Sequence, residues 1–556
     1  MNKKVCSFPI LFALLALLIG TCAVVFPASA QAAPTSTGSI TVSGTVASSY
    51  DAYQIFSANV VDGDSDAKIA TDLAWASDAV RDAALPVLHS AGMPNSQTTA
   101  QEAAEWLNTD SHLTSALSAQ LARSLQSSGA EPVALNAGTT AELSCGYWLI
   151  VADDDAIAQG ETGTAPIMAL VGGSAVTVKP KAATPKVSKH VLEDSTAAWQ
   201  KAADATVADD LYWRLSATVP AGLTAYDTYT VRFVDTMSAG LDPSKVAASM
   251  RVYVAAGADG GFDAVQTDKD GRVGTEPAKG WTDITAQCAT KVSVDGNTFS
   301  VRTGDLIAAL GGADAFTAGA RVVAVYNAPL NSACNHGIAK GNPNEVYLRY
   351  PRSPFADQSG DAGFTRTPSD DACAYTWDLA LTKRGSDGDK PLAGAVLSIA
   401  DDRGRTLAAD GTWDAEGKAT VTTGEDGRVT VSGVDSGKLE VRELKAPKGY
   451  TAFKGTRSVT VKAEGLDVDQ VAAAKPKLTI TAESPLRADS ADGSTGSLEA
   501  SLINTPTGTP PRITTGGFMP STGDMAMYAA AAAAVAGAAL IVVALLVKRG
   551  GGSHKE

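Results

Sequence analysis

Apolar and polar residues alternate along most of the chain between residues 38 and 505, and the pattern changes character twice. In residues 31–181, Ser39-Ile40-Thr41-Val42, Tyr147-Trp148-Leu149-Ile150-Val151 and Val176-Thr177-Val178 predict strands at the two ends. Between them, residues 67–88 and 99–125 are Ala-rich and Gly-poor. Trp106, Leu107, Leu113, Leu117, Leu121 and Leu125 recur there at helical spacing, which predicts helices packed on a sheet and hence a mixed α+β unit. Residues 185–352 read differently. Short strands at 211–216, 229–234, 250–254, 298–302, 321–326 and 346–350 follow one another with turns between them, the pattern of an antiparallel sandwich. Residues 375–505 repeat it in a smaller unit, with Asp414-Ala415-Glu416-Gly417 and Asp426-Gly427 as hairpin turns. The polar, Gly- and Pro-containing residues 353–372 predict a hinge. The expected fold class is mainly β, with tandem Ig-like β-sandwiches behind a mixed N-terminal domain.

The two ends carry a different pattern. Lys3 and Lys4 precede an apolar run over 5–26 and then Ala28-Ser29-Ala30, the layout of a signal peptide over residues 1–30, with cleavage near Gln31. Residues 525–547 are uncharged and long enough to cross a bilayer as a C-terminal transmembrane helix. Lys548, Arg549 and Lys555 follow, which keeps the tail cytoplasmic and the preceding domains outside.

Charge and cysteine usage narrow the chemistry. Against 45 basic residues stand 60 acidic ones, a net −15 with no basic stripe, so a nucleic-acid partner is excluded. Cys145, Cys288, Cys334 and Cys373 remain once the leader is removed; disulfides are permitted outside the cell. The expected pair is Cys334 with Cys373, which flank the end of the middle unit. No C-x-x-C pair, H-E-x-x-H string, G-x-S-x-G elbow or phosphate-binding loop is present, so no metal, no cofactor and no turnover enzyme are expected.

Met519-Pro520-Ser521-Thr522-Gly523 stands just before the apolar span, behind a Pro/Thr/Gly-rich linker at 506–518. The arrangement over 519–556 resembles the sorting signal of Gram-positive surface proteins, Leu-Pro-x-Thr-Gly with a span and a basic tail, Met519 replacing Leu. The resemblance implies that a sortase cleaves after Thr522 and passes its carbonyl to an amine.

Three strings in the third unit carry candidate chemistry: Leu379-Ala380-Leu381-Thr382-Lys383, the stretch Val441-Arg442-Glu443-Leu444-Lys445-Ala446-Pro447-Lys448-Gly449-Tyr450, and Ser501-Leu502-Ile503-Asn504. Together they resemble the Cna-B family of pilin and adhesin domains. That resemblance implies an intramolecular isopeptide bond between Lys383 and Asn504, with Glu443 moving the protons. The chemistry needs these residue types, because burial disfavours an ammonium and leaves a neutral amine able to attack a carboxamide carbon while a carboxyl donates to the carbonyl and ammonia departs. In the middle unit the strings around Lys189, Asp235 and Asn344 resemble the isopeptide-forming middle domain of shaft pilins. This implies Lys189 as amine, Asp235 as proton-handling carboxyl and Asn344 as acceptor, with Asn342 and Asn327 as other acceptors and Lys186 as another amine. Val176-Thr177-Val178-Lys179-Pro180-Lys181 resembles the pilin motif, Lys179 standing where Tyr is usual, and implies Lys181 as the amine that takes Thr522 of the next subunit.

The function these resemblances imply is a structural one: the shaft subunit of a sortase-assembled pilus, extracellular and anchored to the cell wall. Expected partners are a pilus-specific and a housekeeping sortase, identical subunits, peptidoglycan, accessory pilins and host-surface ligands. The other reading kept open is a monomeric wall-anchored adhesin or minor pilin.

Overall fold

The structure, a computed structural model, describes residues 36–508 apart from 45, 65–66, 110, 181–183, 222, 258–260 and 269–271. The signal peptide, Lys181, the sorting signal and the C-terminal span lie outside the described residues. Among the described residues no helix is long and apolar enough to cross a membrane.

In the N-terminal part a sheet built on Ser49–Asp62 and Gly146–Ala152 carries three helices on one face: α1 (Asp78–Ser90), α2 (Ala100–Asn108) and α3 (Ser115–Ser127). The helix expected over 67–88 is half strand. Lys68–Trp75 alternates with period 2 and pairs antiparallel with Ser49–Asp62, and α1 starts only where the Ser77 hydroxyl accepts the Val80 N–H at 3.2 Å. The tract at 99–125 is two helices rather than one. Thr99 and Glu102 form a capping box at the start of α2, and Thr114 caps α3. Of the predicted stripe, Leu107, Leu117, Leu121 and Leu125 are buried, whereas Leu113 falls in the break and is exposed.

The middle part is a sandwich of two sheets. One is six-stranded and holds Val187–Glu193, Tyr212–Thr218 and Arg321–Asn327 as consecutive neighbours; the other sets Arg232–Met237 beside Asn342–Pro351. Strands buried against each other alternate inward and outward residues. Lys189, Asp235 and Asn344 all occupy inward positions, in phase with Val191, Phe233 and Val346. The predicted hinge at 353–372 is instead packed structure. Phe364–Arg366 and Asp370–Tyr375 both pair with Asn342–Pro351, and the Gln358 side chain accepts the Thr230 N–H at 3.1 Å. Asp361 pairs with Arg232 at 2.9 Å and Arg349 at 2.7 Å, and the buried Phe364 ring lies under the Arg302 guanidinium at 5.2 Å.

The third part is a smaller sandwich, entered after a single residue, Thr376. Its first strand, Trp377–Gly385, runs parallel to its last, Ser497–Pro506, while Gly437–Lys445 lies in the opposite sheet. The two sandwiches meet in a seam rich in carboxyls. Asp204 is buried, and its Oδ2 accepts from Trp377 Nε1 at 2.6 Å and from the Ser436 N–H at 2.9 Å. Glu193, Asp194 and Asp435 crowd the same place; the basic groups nearby, Arg403 and Arg405, pair with Asp209 at 2.9 and 2.7 Å, and Arg403 also reaches Asp194 at 3.5 Å. Burial first, and then the neighbouring Asp204, push the Glu193 carboxyl up to about 8, and burial with the same neighbours holds Asp435 well above its ordinary value. Native carboxyls raised above their unfolded values bind protons that the unfolded chain releases, so this part of the stability is full below about pH 4 and is lost as pH rises through about 8. Thermal melts of the ectodomain should therefore fall between pH 5 and pH 8. Asp435→Asn, whose amide donates without a titrating proton, should flatten that dependence and be more stable than the wild type at pH 8. A wild-type melting temperature level across this range would remove the seam as its source.

Candidate functional site

In the third sandwich, period-2 phasing puts Lys383 inward behind Leu379 and Leu381, Glu443 behind Leu439 and Val441, and Asn504 behind Leu498, Ala500 and Leu502. The parallel register sets Lys383 opposite Leu502 and Gly385 opposite Asn504, so amine and carboxamide project side by side from first and last strands. Glu443 reaches them from the facing sheet. Its Oε1 accepts from Asn504 Nδ2 at 2.8 Å and lies 3.6 Å from Lys383 Nζ, and its Oε2 is held by the Phe453 N–H at 3.0 Å. Neither the Lys383 nor the Glu443 side chain is exposed. Burial drives the Lys383 amine down to about 8, against the opposing pull of Glu443.

The middle sandwich assembles a similar cluster across its two sheets. Lys189, Asp235 and Asn344 are all fully buried. Lys189 Nζ donates to Asp235 Oδ2 and, at 2.9 Å, to the Tyr326 hydroxyl. The same hydroxyl accepts from Asn344 Nδ2 at 2.8 Å and donates to Asp235 Oδ2 at 3.1 Å. The Trp213 and Tyr326 rings each lie 5.4 Å from the amine, and Phe299 packs edge-on against Tyr326. In these surroundings burial lowers Lys189 to about 8 and raises Asp235, so both neutral forms are favoured. Asp235 Oδ1, Asn344 Oδ1 and Asn504 Oδ1 are buried without a hydrogen-bond partner, which costs free energy in the folded state.

The other residues named from the sequence go elsewhere. Lys186 is exposed. Asn327 is occupied by the Leu211 N–H and by Asp210 Oδ1 at 2.6 Å, and Asn342 by the backbone of Asn335 and Ala374. Geometry thus brings Asn344, and neither rival, to Lys189.

Residues 378–475, which include Lys383 and Glu443, match the family described as SpaA, a prealbumin-like fold domain. Over these residues the third sandwich is similar to that family. A curated relative, the trypsin-resistant surface T6 protein of Streptococcus pyogenes serotype M6, is 30% identical over 143 residues, 24% of each chain, so the chain matches about a quarter of that relative's length. Solved structures similar to this chain include the T6 backbone pilin of serotype M6 Streptococcus pyogenes (18% identity, TM-score 0.45, covering 85% of this chain and 98% of that one). The full-length major pilin SpaD of Corynebacterium diphtheriae is another (14% identity, TM-score 0.39, 85% and 98%).

Set beside the third sandwich, the middle sandwich differs in one respect. Glu443 spans amine and carboxamide by itself, whereas Asp235, one methylene shorter, bonds to the amine and leaves Tyr326 to reach the carboxamide. Tyr326 was not singled out from the sequence. Its only signal there is its inward phase in Arg321–Asn327, shared with Val322 and Ala324, which reads as ordinary core.

The expected Cys334–Cys373 disulfide is not formed. All four cysteines among the described residues are free and buried. Cys334 packs in the middle core, with Sγ 3.6 Å from His336 Nε2, and Cys373 packs with Tyr375 and Trp377 in the core that continues into the third sandwich. Nearness to one boundary in sequence did not translate into facing side chains, because the two thiols belong to different cores. Burial pushes each of them up to about 11, away from thiolate reactivity.

Proposed function

We propose that this chain is the shaft subunit of a covalently polymerised pilus on a Gram-positive cell surface, stabilised by Lys189–Asn344 and Lys383–Asn504 isopeptide bonds. The observation that carries this reading is the recurrence of a buried amine, carboxyl and carboxamide in two successive sandwiches: Glu443 lies 3.6 Å from Lys383 and 2.8 Å from Asn504, and Lys189, Asp235 and Asn344 all bond to the Tyr326 hydroxyl. One such cluster has a plain reading as core polarity; two, each ending with an unpartnered carboxamide oxygen, favour chemistry. In each reaction the amine nitrogen bonds to the carboxamide carbon and ammonia leaves, once per molecule.

Assembly follows from the ends. Sortase cleavage between Thr522 and Gly523 gives an acyl group, and Lys181, just beyond the strand Val176–Val178, is the amine that takes it from the next subunit. Such head-to-tail contacts do not close and give a filament. Force then runs from the first sandwich to the last along covalent links, and the parallel first and last strands of the third sandwich, tied at Lys383 and Asn504, need not slide. Pilus-specific and housekeeping sortases, peptidoglycan and further pilins are the partners this reading requires.

The test is an immunoblot of the cell-wall fraction after boiling in detergent. The wild-type chain should run as a ladder of high-mass polymers, and Lys181→Arg should collapse it to a single wall-linked species. A single band from the wild type would favour a monomeric adhesin instead.

A further inference from the structure

Two clusters of the same composition solve the same proton problem with different parts. When an amine attacks a carboxamide, the attacking nitrogen must lose a proton and the departing nitrogen must gain one. In the third sandwich a single carboxyl, Glu443, lies 3.6 Å from the amine and 2.8 Å from the carboxamide nitrogen, so one group serves both ends. In the middle sandwich no carboxylate oxygen bonds to Asn344. The Tyr326 hydroxyl takes that place, 2.9 Å from Lys189 Nζ and 2.8 Å from Asn344 Nδ2.

We propose that Tyr326 is a catalytic residue of the Lys189–Asn344 reaction, its hydroxyl carrying a proton from the attacking amine to the departing nitrogen. The inference rests on the isopeptide reading of this cluster. A phenol has one proton to donate and two lone pairs, and Tyr326 uses all three: it accepts from Lys189 and Asn344 and donates to Asp235 Oδ2 at 3.1 Å. Before attack, the planar amide nitrogen of Asn344 has no basic lone pair and can only donate. Once Lys189 Nζ bonds to Asn344 Cγ, that carbon becomes tetrahedral and Nδ2 becomes basic. The hydroxyl then rotates from Asp235 to Nδ2 and delivers its proton as it takes one from the former amine. The Cγ–Nδ2 bond breaks, ammonia departs, and the carbonyl reforms as an amide between Lys189 and Asn344. Tyr326 ends as it began, and no further reactant is needed. The dry surroundings suit a neutral carrier, since burial and the adjacent Asp235 keep the phenol protonated.

The experiment uses the full ectodomain, synthesised in a cell-free system, with intact mass followed over time and only protease-resistant chains counted. Wild type should fall short of its sequence mass by two ammonias. Tyr326→Phe keeps the ring against Phe299, and it should lose one ammonia promptly from the third sandwich and the other at least about 100-fold more slowly, the usual scale for a positioned proton carrier. Adding Asp235→Glu to Tyr326→Phe supplies the longer carboxyl that spans both nitrogens in the third sandwich, and the second loss should return. Resistant Tyr326→Phe chains that lose both ammonias at the wild-type rate overturn the proposal. So does a double variant that stays one ammonia heavy, which assigns Tyr326 to packing. A wild-type chain that loses only the third-sandwich ammonia refutes the underlying Lys189–Asn344 reading instead.

Discussion

Replacing Glu443 with alanine should leave the third sandwich without its cross-link and lower its melting temperature by roughly 15–20 °C, the shift of about 5 kcal/mol in a domain of this size. Two effects add. The proposed bond between Lys383 and Asn504 would close a loop of well over a hundred residues, and if cross-links of any chemistry restrict the unfolded chain alike, its loss costs about 5 kcal/mol. The variant also strands an amine. Lys383 is fully buried, and without Glu443 its one remaining polar contact of note is the Leu502 carbonyl at 3.2 Å. The pH dependence separates the two effects. Burial lowers the Lys383 amine and Glu443 opposes that shift, so without Glu443 the folded-state amine falls below about 8; it binds fewer protons than in the unfolded chain, and its contribution is present above the unfolded value of about 10.4 and lost as pH falls from there. The variant should therefore recover part of its deficit between pH 8 and pH 10, whereas the entropic share stays missing at every pH. Mass spectrometry should show one retained ammonia. A variant of unchanged mass and stability would mean that Glu443 takes no part.

The second large effect concerns the middle sandwich and comes from comparing variants that all lack the same bond. Asp235→Ala should prevent cross-linking and leave Lys189 buried beside only the Tyr326 hydroxyl and aromatic faces. Breaking a buried pair by removing one partner costs about 3–5 kcal/mol. Replacing both members by apolar residues removes the stranded amine as well and is neutral or stabilising relative to an intact pair, so Asp235→Ala/Lys189→Met should regain most of that roughly 3–5 kcal/mol over the single variant despite having lost a further polar group. Denaturant unfolding measures both. A double variant no more stable than Asp235→Ala would show that the amine is accommodated without its partner, against the burial that the fold imposes on it.

The inward residues were legible because a strand has a period of two. Lys383 follows Leu379 and Leu381 on one face, and Asp235 follows Phe233, so a charged residue in the apolar phase marks a buried charge from sequence alone. Helix-forming composition was less reliable. The Ala-rich tract at 67–88 carries enough alternation in Lys68–Trp75 to be captured by the long strand Ser49–Asp62, whose backbone groups needed a partner. The polar stretch at 353–372 read as hinge for the converse reason, since its partners are fixed by tertiary packing: the strand Asn342–Pro351 and residues more than a hundred positions away, such as Thr230.

By itself, then, the sequence determined the succession of mixed and sandwich units and marked Lys383 as a lysine set among the apolar positions of a strand. Tertiary structure alone decided which asparagine meets Lys189, that Tyr326 stands between them, and that Cys334 and Cys373 lie in separate cores. The reason is geometric: alternation assigns each side chain to a face, but which faces oppose each other, and at what distance, depends on register and sheet packing between strands remote in the chain.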